Sequence, residues 1–285
     1  MQEITDGIYY QNAYAGVTLG AVILPGGTLL IDSPLIPDEA RSWKSILLTQ
    51  SIGTHRLLVN LDGHIDRTVG NRYMDFTTLA QTEVSRAYEN RSAVFKGQTY
   101  DTGSEWEKYP EIIGSRWTQP NITFEDHLQL HWGPDEIHLD HHPGPTPGAI
   151  WVEIPSKKIV FIGDAVLEDQ PPFLADADIP AWLETLNLLR SKKYNRYAII
   201  SGRSGSIKVE AIRDQYELLK SILGRLETLA QRDMTPEGTQ KLIPALLSKF
   251  KVPPKYGDFF SQRLRYGLHH YYINHYNLST ISQEE

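Results

Sequence analysis

An apolar hairpin followed by a helix occurs twice in this chain, and this arrangement narrows the folds that it can adopt. The apolar runs lie at 18–24 and 28–32 in the first copy, and at 149–154 and 159–162 in the second. Helices are predicted from Asp38 to about Thr49, and along a face formed by Ile179, Trp182, Leu186 and Leu189. Two halves of this kind predict an α+β protein in which each sheet packs against helices.

The character of the sequence changes after Gly205. Helical spacing of apolar residues predicts helices at 207–226, 242–250 and 259–276, with Pro253-Pro254 between the last two. We therefore predict one domain over residues 1–205 and a C-terminal helical extension over 206–285. Before these helices, a helix is predicted at 78–88 and a polar loop dotted with aromatic residues at 98–118.

Composition excludes several classes of protein. The 285 residues include no cysteine, so disulfides, thiol nucleophiles and thiolate metal sites are excluded. The net charge of −7 and the absence of a basic block give no sign of nucleic-acid binding. No run of about 18 apolar residues predicts a membrane span. The N-terminus lacks a secretory signal, and a cytoplasmic location is expected.

A metal-ligand type of loop follows one predicted strand. The apolar run 56–61 leads into Asp62-Gly63-His64-Ile65-Asp66-Arg67, so that Asp62, His64 and Asp66 leave the strand on alternate positions. Carboxylates and an imidazole suit Zn, Fe or Mn. Arg67 does not, because a guanidinium has no lone pair to donate.

Three further apolar runs end in polar tips. They run into His141-His142 and the Pro-Gly-Pro-Thr-Pro-Gly segment 143–148, into Gly163-Asp164, and into 201–205 around Arg203. If these strands share a sheet, their tips can converge at one rim.

The order of these tips resembles the metallo-β-lactamase superfamily over about residues 5–205. The resemblance rests on Asn60, Gly70, Asn71, Thr146-Pro147-Gly148, Gly163-Asp164, the glycine-flanked tip at 202–205, and the stretch 122–130 leading to His138. It implies a four-layer αββα sandwich with a dinuclear metal site at the sheet edge, followed here by the C-terminal helical extension.

The residues at the implied ligand positions depart from the family pattern. The family loop usually reads His-x-His-x-Asp-His, where this chain has Asp62, His64, Asp66 and Arg67. Pro145 stands at the next histidine position and Arg203 at the last. Asp164 keeps the bridging aspartate, and Asp62 is a candidate replacement ligand.

The resemblance places the second metal among Asp66, Arg67, Asp164 and Arg203. Two fixed positive charges at short range would repel a divalent cation by several kcal/mol even at an effective dielectric of about 20. Arginine can instead supply the countercharge that buried carboxylates need. We therefore interpret the two guanidiniums as replacements for that metal.

The first metal position stays open between no metal and one Zn, Fe or Mn held by Asp62, His64 and Asp164. Pro145 removes a nitrogen ligand. His141 and His142 point to opposite faces of a strand, so at most one can reach the site, and His142 would need a shifted backbone to do so.

The residues at the ligand positions are compatible with two functions. The first is a superfamily member whose dinuclear hydrolase site is lost, which is non-catalytic or binds a small anionic ligand at Arg67, Arg203 and His142. The second is a metal-dependent hydrolase, or with less support an oxygenase, using one metal at Asp62, His64 and Asp164. In that case Asp66, or Asp62 if unligated, would act as the base. The C-terminal helices could also form a homo-oligomer contact.

Overall fold

The computed structural model describes residues 1–50, 53–89, 91–97 and 101–276. Within these residues, two sheets pack face to face and helices cover their outer faces. The first sheet has the spatial order of the chain itself: β1 (Gln2–Thr5), β2 (Ile8–Gln11), β3 (Leu19–Leu24), β4 (Gly27–Ile31), β5 (His55–Val59), β6 (Thr77–Gln81) and β7 (Ile122–Phe124). Strands β1 to β4 are antiparallel, and β4 to β7 are parallel.

The second sheet is formed by the later strands, in reverse spatial order from β13 to β8. Its members are β8 (His127–His131), β9 (Glu136–His141), β10 (Ile150–Ile154), β11 (Ile159–Phe161), β12 (Ala198–Ser201) and β13 (Gly205–Ile207). Only β11 and β12 pair in parallel. The predicted hairpins are β3–β4 and β10–β11, and both are antiparallel.

Helices connect and cover the sheets. They are α1 (Pro37–Gln50), α2 (Ile65–Thr68), α3 (Asn71–Met74), α4 (Thr82–Glu89), α5 (Ile179–Leu189), α6 (Val209–Ala230), α7 (Ile243–Leu247) and α8 (Gly257–Tyr276). Short 3-10 turns lie at Glu105–Lys108, Pro110–Ile112, Pro155–Lys157, Gly163–Ala165, Pro236–Leu242 and Pro254–Tyr256. None of the helices in the described ranges is long and apolar enough to cross a membrane.

Alternate residues of the strands serve two different apolar layers. In β4, Leu29 and Ile31 face the space between the sheets, whereas Leu30 packs with Trp43 and Leu47 of α1. On the far side, Trp182 of α5 lies in a cluster with residues of β11, β12, α6 and α8. Because both of their faces are covered, the central strands β3, β4 and β11 are buried throughout and read as continuous apolar runs. The predicted αββα sandwich is confirmed.

The prediction of one helix at 78–88 was wrong in its first part. Residues Thr77–Gln81 form β6, which pairs in parallel with β5 and β7, and the helix α4 starts only at Thr82. Pairing on both sides of a buried strand outweighed the local helical pattern. Part of the predicted loop at 98–118 lies outside the described residues, and the rest contains two 3-10 turns.

The C-terminal helices share one apolar cluster with the second sheet. Leu219 of α6 and Leu268 of α8 lie in the same cluster as Val160 and Ile199. The boundary drawn at 205/206 falls inside β13. The division into a domain and an extension stays a prediction.

Candidate functional site

Buried charged residues meet where the parallel strands of both sheets end. Asp32 follows β4, Asp62 follows β5, Asp164 follows β11, and Arg203 follows β12, while α2 carries Asp66 and Arg67. The carboxyl ends of parallel strands meet at one edge of a sheet, and short loops there hold side chains on a rigid base. We call these six residues the ion-pair cluster.

Arg67 lies at the centre of the ion-pair cluster and has no exposed surface. Its Nη2 contacts Asp164, its Nε lies 3.2 Å from Asp62 Oδ1, and its Nη1 lies 3.4 Å from Asp32 Oδ2. Burial alone would lower the pKa of Arg67, but these carboxylates outweigh burial and raise it above the ordinary value. The guanidinium is therefore a permanent cation in contact with three aspartate side chains.

Arg203 joins the cluster from the other sheet. Its Nε donates to Asp164 Oδ2 at 2.9 Å, and its Nη1 donates to Asp66 Oδ2 at 2.6 Å. The other oxygen of Asp66 accepts a hydrogen bond from the Trp106 backbone N–H at 2.9 Å. Each oxygen of Asp66 therefore accepts one hydrogen bond, and the role of this carboxylate as a base stays a prediction.

Two aspartates of the cluster, Asp62 and Asp164, are held in their charged forms by the arginines. Burial would raise the pKa of Asp164, but Arg203 and Arg67 lower it well below its ordinary range. Burial acts in the same direction on Asp62, where Arg67 and His64 reverse it and lower the pKa. Charge-assisted contacts of this kind are stronger than neutral hydrogen bonds.

A polar scaffold holds the loop that carries Arg67. Asn60 Nδ2 donates to the Arg67 carbonyl oxygen at 3.0 Å, and Asn71 Nδ2 donates to Asn60 Oδ1 at 2.6 Å. Gly70 lies so close to Pro34 that a Cβ would come within 1.9 Å of its carbonyl oxygen. Three residues that carried the family resemblance therefore have a structural role in positioning the cluster.

Asp32 is a member of the cluster that the sequence analysis did not single out. It has a left-handed φ of 60° and accepts a hydrogen bond from Leu61 N–H at 3.0 Å. Burial raises its pKa to about 7, and Arg67 only partly offsets this effect. Its position directly after an apolar run, like that of Asp62, was the available signal.

Asp62, His64 and Asp164 lie together as a candidate metal-ligand set, with one donor atom from each within 4.8 Å of the others. His64 Nδ1 is 3.0 Å from Asp62 Oδ1 and 3.6 Å from Asp164 Oδ2. Two ligands of a tetrahedral zinc ion lie about 3.3 Å apart, given metal–ligand distances of about 2.0–2.2 Å. Asp62 Oδ2 is buried and has no hydrogen-bond partner among the described residues.

The charged residues around Asp62, His64 and Asp164 determine whether the site can hold one metal ion or two. Arg67 and Arg203 occupy two of the four positions at which the family resemblance places ligands of the second metal, and both contact Asp164. A divalent cation about 4 Å from one guanidinium would be repelled by about 8 kcal/mol at an effective dielectric of about 20. The residues therefore do not fit a dinuclear centre. The three-ligand set offers suitable donors for one metal, but both of its carboxylates already contact guanidiniums.

The structure places the other predicted residues away from the centre of this site. The His142 ring lies on Trp151 with a centroid distance of 3.9 Å, and burial lowers its pKa to about 4. Pro145 lines a pocket beside His64, whereas Arg67, Arg203 and His142 are not among the residues that line it. The ligand-binding roles of Arg67, Arg203 and His142 stay predictions.

Phe173 connects the cluster to that pocket, and no sequence motif predicts its role. Its ring lies 5.1 Å from the His64 ring, 4.3 Å from the guanidinium carbon of Arg203 and 4.1 Å from that of Arg263. Neither Phe173 nor Arg263 follows a predicted strand, so no motif pointed to them.

The layered sandwich defines an αββα protein of the metallo-beta-lactamase type. The family model of the metallo-beta-lactamase superfamily matches residues 63–202, and the chain belongs to this superfamily.

Solved structures of low sequence identity show the same fold. The sec-alkylsulfatase Pisa1 from Pseudomonas sp. superposes with a TM-score of 0.68 at 14% identity, over 96% of this chain and 49% of its own. A metallo-beta-lactamase from Pontibacter korlensis gives 0.56 at 16% identity, over 77% of this chain and 97% of its own. The metallo-beta-lactamase DIM-1 gives 0.59 at 18%, over 77% and 96%. The chain spans about half the length of the alkylsulfatase.

Proposed function

We propose that this protein has exchanged the dinuclear hydrolytic centre of its superfamily for the ion-pair cluster and binds a small anionic ligand beside it. The observation that carries the proposal is the position of Asp164, which is 2% exposed and held between Arg67 and Arg203. The superfamily fold is compatible with many functions, so the function is inferred from the residues of the site.

The cluster supplies the countercharges that metals would otherwise supply. Asp62, Asp66 and Asp164 each contact at least one guanidinium at 3.2 Å or less. A bound metal would have to displace these contacts and accept the nearby positive charge. Two-metal hydrolysis has no support in this arrangement.

A second candidate function rests on the set Asp62, His64 and Asp164. One Zn, Fe or Mn held there would act as a Lewis acid toward a substrate in the adjoining pocket. Asp62 Oδ2, which lacks a hydrogen-bond partner in the described part of the chain, favours this candidate. The short contacts of Arg67 with Asp62 and Asp164 oppose it.

Metal content separates the two candidates. Protein purified without a histidine tag or chelator would be dialysed against Zn, Mn or Fe(II) and analysed for bound metal. We expect no stoichiometric metal. About one metal per chain that is lost in Asp164→Ala would refute the proposal and support the one-metal hydrolase.

A gain-of-metal variant tests the charge replacement directly. Arg67→His combined with Arg203→His removes both guanidiniums and supplies imidazole ligands, so we expect this variant to take up metal. The matched control is Arg41→His with Arg213→His, which changes two exposed arginines whose side chains are 58% and 61% exposed. A folded double variant that gains no more metal than the control would contradict the charge-replacement account.

A further inference from the structure

A pocket of about 460 Å³ lies between the cluster and the C-terminal helix α8. This volume is within the range of small-molecule sites, which run from about 300 to 1,000 Å³. Its apolar wall includes Ile65, Val84, Trp106, Phe173 and Leu174. The sandwich alone does not complete the pocket, because Arg263, Tyr266 and Gly267 of α8 form one side.

Arg263 is the unusual residue in this wall. It is 1% exposed, and its hydrogen bonds go to neutral acceptors: Nε donates to the Gly103 carbonyl at 2.8 Å, and Nη1 donates to Gln170 Oε1 at 2.9 Å. Among the described residues, no carboxylate lies within 4.0 Å of its guanidinium. Arg67 and Arg203 are buried as deeply, and each contacts two or more carboxylates.

A buried charge without a direct ion pair is costly. Burial, together with the nearby Arg203, lowers the pKa of Arg263 to about 9, although Asp66, Glu105 and Asp164 act in the opposite direction from beyond ion-pair distance. Arg263 cannot move away from the pocket easily, because helix α8 packs tightly against the loop that contains Gly103. At Gly103, which has a φ of 73°, a Cβ would lie 2.6 Å from the Arg263 backbone nitrogen.

Arg91 adds a second positive charge at the pocket wall. Its Nη2 donates to the Gly63 carbonyl at 3.2 Å, and its guanidinium lies 4.6 Å from the Tyr88 ring and 4.7 Å from the Trp117 ring. Its buried Nη1 has no hydrogen-bond partner in the ranges that the structure describes. The other arginine in the wall, Arg86, is paired with Glu83. The wall also contains two carboxylates: Asp66, which is paired with Arg203, and Asp176, which lies near Arg91.

We propose, building on the proposed function, that this pocket binds an organic anion with an apolar body and that Arg263 pairs with its acidic group. The apolar wall would take the hydrocarbon part, and each methylene group buried there contributes about 0.8 kcal/mol. The acidic group would supply the direct ion pair that Arg263 lacks among the described residues. The C-terminal helix thus provides the residue that selects the ligand.

Octanoate, octanol and acetate test the charge and the apolar body separately. Titration calorimetry on the full, untagged chain should show octanoate binding at least tenfold more tightly than either octanol or acetate. Equal binding of octanol would refute the role of the charge, and equal binding of acetate would refute the role of the apolar body. No binding of octanoate would refute the proposal as a whole.

Variants assign the charge to Arg263. Arg263→Gln should weaken octanoate binding tenfold or more and leave octanol binding unchanged, whereas Arg265→Gln, on the exposed side of the same helix, should bind octanoate like the wild type. Ala87→Glu places a negative charge at the exposed edge of the pocket without altering the core, and it should also weaken octanoate binding. If Arg263→Gln does not fold, the octanoate affinity of Ala87→Glu tests the proposal instead. Unchanged octanoate affinity in the folded variants would overturn the proposal.

Metal analysis of the same samples separates this proposal from the function on which it rests. Stoichiometric metal together with octanoate binding that depends on Arg263 would refute the metal-free centre and uphold the anion pocket. Metal-free protein that does not bind octanoate would support the metal-free ion-pair cluster and refute the proposal of an anion-binding pocket.

Discussion

Asp164→Asn is the most direct perturbation of the ion-pair cluster. The change keeps the shape of the side chain but removes the charge that faces Arg67 and Arg203, whose side chains are 0% and 3% exposed. Removing one partner of a buried ion pair costs about 3–5 kcal/mol, because the remaining charge is left uncompensated. We expect a loss in this range, which is a large part of a typical unfolding free energy of about 5–15 kcal/mol.

Urea unfolding followed by tryptophan fluorescence would measure this loss. The control is Asp38→Asn, which breaks an ion pair to Arg41 on the surface, where the two side chains are 90% and 58% exposed. Such pairs contribute about 0–1 kcal/mol. The wild-type unfolding midpoint should also be the same with and without a chelator, since arginines rather than a metal hold Asp164 in place.

Two results would refute this reasoning. A folded Asp164→Asn variant that loses less than about 1 kcal/mol would show that the buried guanidiniums do not depend on this carboxylate. A wild-type midpoint that falls on addition of chelator would show that a bound metal stabilises the fold.

Two further predictions concern the scaffold of the cluster. Burial raises the pKa of Asp32 to about 7, so the folded state binds a proton that the unfolded state releases. Between pH 5 and 7, stability should therefore fall as pH rises, by at most about 1.4 kcal/mol per pH unit. Asp32→Asn should flatten this dependence, measured as unfolding free energy at both pH values; equal slopes would contradict the assignment. Gly70→Ala would place a Cβ 1.9 Å from the Pro34 carbonyl oxygen and should cost about 3 kcal/mol or more. Gly224→Ala in α6, with open space around its Cβ, is the control and should be neutral or stabilising in the same assay.

Local pattern predicted much of the sandwich. The hairpin β3–β4, the helix α1 and the apolar face of α5 were each visible, because burial on both faces leaves long apolar runs and turns leave glycine and proline. The helix predicted at 78–88 failed at β6, where partners distant in sequence determine the strand. Pairing with β5 and β7 is not encoded within that segment itself.

The sequence by itself determined the class of fold and the residue types at the ligand positions. Arg67 and Arg203 could be recognised as incompatible with a second metal, because a guanidinium has a fixed charge and no lone pair. Only the tertiary structure decided which carboxylates they contact, and that Asp32 joins them. It also brought Arg263 from α8 to the same pocket. Such contacts depend on how distant elements pack, and no local periodicity records that packing.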